Sequence, residues 1–141
     1  GCKDEETPTS TTPKTKTELL TASPWKLTAM TVDPALDIGG TQVTDFFSQM
    51  DNCDKDDLTK YETNKTGLYD EGATKCDPSD PQTWSFTWTF DLSETKLTED
   101  GETYDLVELT ESKLVGSITY DGDDIGGIPG LNYKLTATYV H

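Results

Sequence analysis

Three cysteines, one histidine and 27 acidic residues are the side chains of this sequence that could perform chemistry. The histidine, His141, is the last residue, so it is poorly placed to act as a base beside a nucleophile. The sequence contains no GxSxG, HExxH or phosphate-binding glycine loop. With so many carboxylates, acidic pairs arise by chance and do not by themselves indicate a hydrolase. We therefore expect a protein that is not an enzyme and needs no cofactor.

Two groups of aspartates raise the question of calcium, which prefers clustered oxygen ligands. One group surrounds the second cysteine and the other lies in a glycine-rich loop: Asp51, Asp54, Asp56 and Asp57, and then Asp121, Asp123 and Asp124. Neither group has the spacing of an EF-hand loop. We expect solvated acidic turns and no metal site, although the spacing leaves calcium binding open.

Composition limits the size of the protein and its partners. A chain of 141 residues has room for one domain. It carries 11 lysines, no arginine and a formal charge of -16. A nucleic-acid partner is therefore not expected, because binding phosphates requires a basic surface. No apolar run approaches the roughly 18 residues that a membrane-spanning helix needs.

Cys53 and Cys76 bracket a predicted β-hairpin with strands at 58–62 and 67–71 and a turn at 63–66. The two cysteines are equally far in sequence from the centre of that turn. Partners across an antiparallel pair have this symmetry, so the sulfurs should meet at the open end of the hairpin and form a disulfide. The bond would stabilise a small domain by about 3 kcal/mol. Two free thiols in a reducing compartment are the alternative.

Cys2 is then left without a partner, at the tip of a segment that cannot pack. The residues that follow it, KDEETPTSTTPKTKTE, are rich in threonine, proline and charge, so we expect residues 1–17 to form a flexible tether. This start resembles that of a mature bacterial lipoprotein, in which the first cysteine carries acyl chains. Lys3-Asp4-Glu5-Glu6 is similar to the charged tags of some surface lipoproteins. The resemblance implies lipid attachment at Cys2 and a membrane as partner.

The alternation of apolar and polar residues over 18–141 predicts a β-domain. The clearest strand is TWSFTWTF at 83–90, where Trp84, Phe86, Trp88 and Phe90 alternate with threonine and serine. With the hairpin, further strands at 25–31, 95–98, 104–110, 114–120 and 133–139 bring the number to eight. Their short, regular spacing favours an all-β, eight-stranded antiparallel up-and-down barrel, since closure removes exposed edges.

One segment between strands one and two has a helical pattern. Val43, Phe46, Phe47 and Met50 follow the i, i+3, i+4, i+7 spacing of an amphipathic helix. Gly39-Gly40 before it could act as a hinge and Cys53 after it could fix its base. We therefore expect these four residues to form a lid over one end of the barrel.

The sequence resembles the lipocalin-like domains of Gram-negative bacterial lipoproteins. The most similar block is CDKDDLTKYETNKTGLYDEGATKCDPSDPQTWSFTWTF, residues 53–90, and weaker similarity extends over roughly residues 19–141. The resemblance implies a lipocalin-like barrel on an outer-membrane lipoprotein, on the periplasmic or the cell-surface side.

Two functions fit this scaffold. In the first, a small hydrophobic ligand binds in the barrel, in a pocket lined by inward-facing aromatic residues: Trp25, Phe86, Trp88, Phe90, Tyr133 and Tyr139. In the second, the core is filled and the protein binds glycan or protein at its surface, with Trp84 and Trp88 facing outward. We expect the strand at 83–90 to turn its aromatic residues inward, because burying four rings is worth several kcal/mol.

Overall fold

The structure is a computed structural model that describes residues 13–141. Cys2 and most of the predicted tether lie outside this range. The helices are α1 (Lys16–Thr21), a 3-10 helix (Phe47–Gln49), α2 (Asn52–Lys55) and α3 (Gly122–Ile125). The strands are β1 (Trp25–Ile38), β2 (Thr41–Asp45), β3 (Leu58–Tyr61), β4 (Thr66–Asp70), β5 (Thr83–Phe90), β6 (Lys96–Glu99), β7 (Glu102–Leu109), β8 (Leu114–Asp121) and β9 (Asn132–Val140).

Eight of the nine strands form a closed antiparallel barrel. Strands β3 to β9 pair consecutively, and β1 pairs with both β3 and β9 to close the ring. The ninth strand, β2, is an addition that pairs with β1 between Thr31 and Ile38. The predicted all-β, eight-stranded up-and-down barrel is confirmed. In the described residues, no helix has the length and apolar character needed to cross a membrane.

The predicted amphipathic helix over residues 43–50 is wrong. Gly39 and Gly40 have φ angles of 60° and 89°, and they form a tight turn that folds β2 back onto β1. Val43 therefore lies in a strand opposite Leu36. Short helices do occur between the first and second strands of the barrel, as predicted, but they are the 3-10 helix and α2.

Helix α1 begins earlier than the predicted domain boundary at residue 18. The Thr15 hydroxyl accepts a hydrogen bond from the Glu18 backbone N–H at 3.1 Å, and the Glu18 side chain accepts one from the Thr15 backbone N–H at 2.8 Å. This capping box satisfies backbone groups that the helix leaves free. The helix then brings Leu20 over the end of the barrel, where the Leu20 carbonyl accepts a hydrogen bond from Trp25 Nε1 at 2.9 Å.

Two hydrophobic clusters fill much of the interior. The larger lies toward α1 and consists of Leu20, Trp25, Tyr61, Phe86, Trp88, Leu97 and Leu114. The smaller consists of Val32, Leu36 and Tyr133. The predicted inward orientation of β5 is confirmed for its central residues, because Phe86 and Trp88 are only 3% and 2% exposed. Trp84, near the start of the strand, is 45% exposed.

The predicted disulfide is confirmed. Cys53 and Cys76 are bonded, with their Cα atoms 5.1 Å apart. Strands β3 and β4 pair as the hairpin argument requires, with Leu58 opposite Asp70 and Tyr61 opposite Gly67. The bond therefore joins the segment before β3 to the loop after β4.

Candidate functional site

Glu99 carries a carboxyl group into the barrel. It lies opposite Trp88 of β5 and opposite Glu102 of β7 in the antiparallel ladder. Residues directly opposite one another in such a ladder point to the same face of the sheet. Because Trp88 points into the core, Glu99 points there as well. Burial raises the pKa of Glu99, because a low-dielectric interior disfavours the charged form.

Two tyrosines hold this carboxyl group. The Tyr61 hydroxyl donates to Glu99 Oε1, and the Tyr69 hydroxyl donates to Glu99 Oε2 at 2.6 Å. Both rings are fixed by Phe86: Tyr69 stacks on it at a centroid distance of 4.3 Å, and Tyr61 meets it edge-on at 5.4 Å. The two hydrogen bonds lower the pKa of Glu99 and so oppose part of the effect of burial. The result is a carboxyl group held by two hydrogen bonds inside an aromatic environment.

Two adjoining cavities lie beside this group. The smaller, about 60 Å³, is lined by Glu99 and Tyr61 among others, and the larger is about 180 Å³. Four residues line both: Tyr104, Gly116, Ala137 and Tyr139. The other residues that line the larger cavity are three with apolar side chains and one tyrosine: Met30, Ile118, Leu135 and Tyr120.

The cavities exist because two small residues face each other. Gly116 of β8 lies opposite Ala137 of β9, while the neighbouring pairs on the same face, Leu114 with Tyr139 and Ile118 with Leu135, are large. Filling the same width with large side chains at every pair would close the space. The gap is therefore a local property of the β8–β9 pair.

A second acidic group lies near the turn between β6 and β7. Glu102 is exposed, and its Oε1 accepts hydrogen bonds from the hydroxyls of Tyr104 at 2.9 Å and Tyr120 at 3.3 Å. Burial, followed by the interaction with Glu102, raises the pKa of Tyr104 and of Tyr120. Both hydroxyls therefore stay protonated and act as hydrogen-bond donors near the larger cavity.

The predicted pocket residues are placed differently from the expectation. Of the six, only Tyr139 lines the cavities. Trp25, Phe86 and Trp88 are buried in the larger hydrophobic cluster, with Phe90 packed against it. Tyr133 belongs to the smaller cluster, where its hydroxyl accepts a hydrogen bond from the Ile128 N–H at 3.0 Å. Most of these aromatic residues fill the core because their rings pack against one another.

The predicted lid residues do not line the cavities either. Val43 is buried in β2, and Phe46 packs against the smaller cluster. The ring of Phe47 lies 5.0 Å from Lys55 Nζ, and Met50 ends the 3-10 helix. The alternative two-tryptophan platform is not formed, because Trp88 is inside the barrel.

The acidic groups near the disulfide form a crowded cluster. Burial, and then the neighbouring Glu71, Asp54 and Asp56, raise the pKa of Asp57 to about 6. Asp54 also lies close to both sulfurs, but these are bonded to each other and are not thiolate ligands. In the second acidic loop, Asp121 caps α3 by accepting from the Asp123 N–H at 2.9 Å.

The sequence contains a pattern that identifies Glu99. In β6, KLTE, Leu97 and Glu99 are two residues apart and therefore share a face. Because Leu97 is buried, the acid on the same face of this short strand also points into the core. Tyr61 and Tyr69 lie on one face of the hairpin, because Tyr61 is opposite Gly67 and Tyr69 is opposite Thr59.

The chain matches no protein-family model and no curated protein.

Proposed function

We propose that this protein is a lipocalin-like lipoprotein of the outer membrane that binds a small ligand inside its barrel. Lipid on Cys2 would anchor the chain, on the periplasmic or the cell-surface side, and the barrel would carry the binding site. The observation that carries the binding proposal is the interior cavity of about 180 Å³, bounded by Gly116 and Ala137. The function is binding, without catalysis or a cofactor.

The size of the cavity limits the ligand. An engineered apolar cavity of about 150 Å³ in another protein binds benzene. Pockets for drug-sized ligands occupy roughly 300–1,000 Å³. A cavity of about 180 Å³ therefore suits a molecule the size of one ring, and a long acyl chain does not fit.

Benzyl alcohol, which is neutral and has one ring, is a suitable probe. We expect saturable binding to the wild type by calorimetry, with chemical-shift changes at the amides of Gly116 and Ala137. Ala137→Leu should abolish binding, because the larger side chain occupies the space beside Gly116. It should also preserve the fold, since an apolar side chain fills an existing gap.

Ala73→Leu is the matched control, because Ala73 is exposed in the loop between β4 and β5. This variant should bind benzyl alcohol like the wild type. A wild type that does not bind, or binding that survives Ala137→Leu, would remove the support for a ligand in this cavity.

The anchor is tested separately in a Gram-negative bacterium that expresses the complete reading frame. We expect the protein in the outer-membrane fraction, with acyl chains on the peptide that contains Cys2 by mass spectrometry. Cys2→Ser should release the protein from the membrane while leaving the folded barrel intact. An unmodified Cys2 in the membrane-fraction protein would contradict the proposal. Surface proteolysis of intact cells distinguishes the two sides of the membrane.

A further inference from the structure

We propose that the ligand of the interior cavities is a small organic amine, whose ammonium group binds Glu99 and whose hydrocarbon part occupies the larger cavity. This inference rests on the proposed function, since it names the class of ligand for the same site. Three features of the site support it: the free hydrogen-bonding capacity of Glu99, the charge of the surrounding groups, and the aromatic walls.

Glu99 has room for a further donor. A carboxylate offers about four acceptor positions, and the hydroxyls of Tyr61 and Tyr69 occupy one on each oxygen. Glu99 also lines the smaller cavity. A ligand that enters this cavity therefore meets an acceptor that is held in place and not saturated. An ammonium group, which carries up to three N–H donors, matches such an acceptor.

The charges around the site favour a cation. Titratable groups face Glu99 from several elements of the barrel, and all of them are acidic or phenolic: Tyr61, Tyr69, Asp100, Glu102, Tyr104 and Tyr139. Asp105, which also borders the smaller cavity, is paired with Lys96. Within residues 13–141, no lysine lines either cavity. An anionic ligand would be repelled, whereas a cation would supply the missing positive charge.

The walls favour an organic cation over a metal ion. Tyr61, Tyr104 and Tyr139 line the smaller cavity, and aromatic rings attract ammonium groups through their π-faces. A bare calcium ion needs roughly six to eight oxygen ligands. Among the described residues, the carboxyl groups that line the smaller cavity are those of Glu99, which is half-buried, and of Asp105, which is exposed and paired with Lys96. The adjoining larger cavity, with Met30, Ile118 and Leu135, accommodates hydrocarbon.

Benzylamine and benzyl alcohol test this inference, because they differ chiefly in the ammonium group. At about pH 8, we expect the wild type to bind benzylamine about tenfold more tightly than benzyl alcohol, or better, since a hydrogen bond to a charged group adds this much. Glu99→Gln keeps the shape of the side chain and removes its charge. In this variant the two affinities should become equal to within about threefold.

Glu108→Gln is the matched control, because it removes one acidic charge from an exposed position of β7. It should leave the preference for benzylamine unchanged. If benzyl alcohol binds and benzylamine is not preferred, the amine inference is overturned and the proposed function stands. If neither compound binds, both are overturned.

A pH series on the wild type gives the same answer without a variant, in case Glu99→Gln does not fold. The series runs from about pH 4 to about pH 8, a range in which benzylamine carries its proton, as alkylamines do. Binding the cation favours the ionised form of Glu99, so the affinity for benzylamine should rise with pH through the raised pKa of this group. The affinity for benzyl alcohol should not rise. An affinity for benzylamine that stays constant or falls with pH would refute the proposal.

Discussion

Glu99 is a half-buried acid that gives the interior of the barrel a group able to bind a ligand. Burial disfavours its charged form, and the hydroxyls of Tyr61 and Tyr69 provide the hydrogen bonds that make its position tolerable. Apolar side chains at these positions would make the folded state more stable, because they need no hydrogen-bond partners in the core. The raised pKa of Glu99 reflects the free-energy penalty of burying its carboxyl group. This penalty is consistent with a binding role, since shifted pKa values are concentrated at functional sites.

Asp57 gives a prediction at the same scale. Its pKa in the folded state is about 6, above the ordinary value of 3.8, so the folded protein binds this proton more tightly than the unfolded chain does. Its contribution to stability is therefore greatest below about pH 4 and is lost as the pH rises to about 6. We expect Asp57→Asn to raise the melting temperature at about pH 7 and to leave it nearly unchanged at about pH 4.

The melting temperature of Asp57→Asn at about pH 7 should rise by a few degrees at most, because solvent screens the partly exposed carboxyl group. Asp51→Asn, at an exposed position of the same segment, is the control and should give a smaller change. Thermal melts of the three proteins at both pH values measure the effect. A melting temperature that falls at about pH 7 in Asp57→Asn would show that this carboxylate is stabilised, contrary to the structure.

At the level of elements, the site depends on which strands pair and in what register. β6 contributes Glu99, β3 and β4 contribute its two tyrosines, and β8 and β9 leave the gap. The interior alternation of β5 could be predicted because every second residue is aromatic. The segment 43–50 could not be predicted correctly, because its apolar spacing suits a helix and the glycine turn instead pairs it with β1.

Helix α1 provides a test at the level of an element. Thr15→Ala removes the hydroxyl that accepts from the Glu18 N–H, and we expect the free energy of unfolding to fall by about 1 kcal/mol. The effect should be seen in global unfolding because α1 places Leu20 in the larger hydrophobic cluster. Urea denaturation measures it. Thr15→Ser retains the hydroxyl and should unfold like the wild type; an equal loss in Thr15→Ser would show that the cap is not the cause.

At the level of the whole molecule, the closed barrel and the disulfide have separate roles. Pairing of β1 with β9 closes the barrel around the cavities. The Cys53–Cys76 bond instead ties together two segments outside the barrel strands, and it lines neither cavity. Stability and ligand binding should therefore respond differently when the disulfide is removed.

Cys53→Ser combined with Cys76→Ser tests this separation. The bond spans 23 residues, and its loss should lower the free energy of unfolding by about 3 kcal/mol, because the unfolded chain gains conformational freedom. Benzyl alcohol should still bind the folded fraction with wild-type affinity. Cys2→Ser is the control and should change neither quantity. Urea denaturation and calorimetry measure the two effects, and lost affinity in a folded double variant would place the disulfide in the site.

The sequence by itself determined the features that depend on neighbouring residues. The alternation of β5, the hairpin of β3 and β4, and the disulfide at its open end follow from local period and symmetry about one turn. Only the tertiary structure decided that Gly116 meets Ala137, that Tyr61 and Tyr69 converge on Glu99, and that residues 41–45 form a strand. These outcomes depend on which distant strands pair and in what register, and a one-residue change of register would turn Glu99 to solvent.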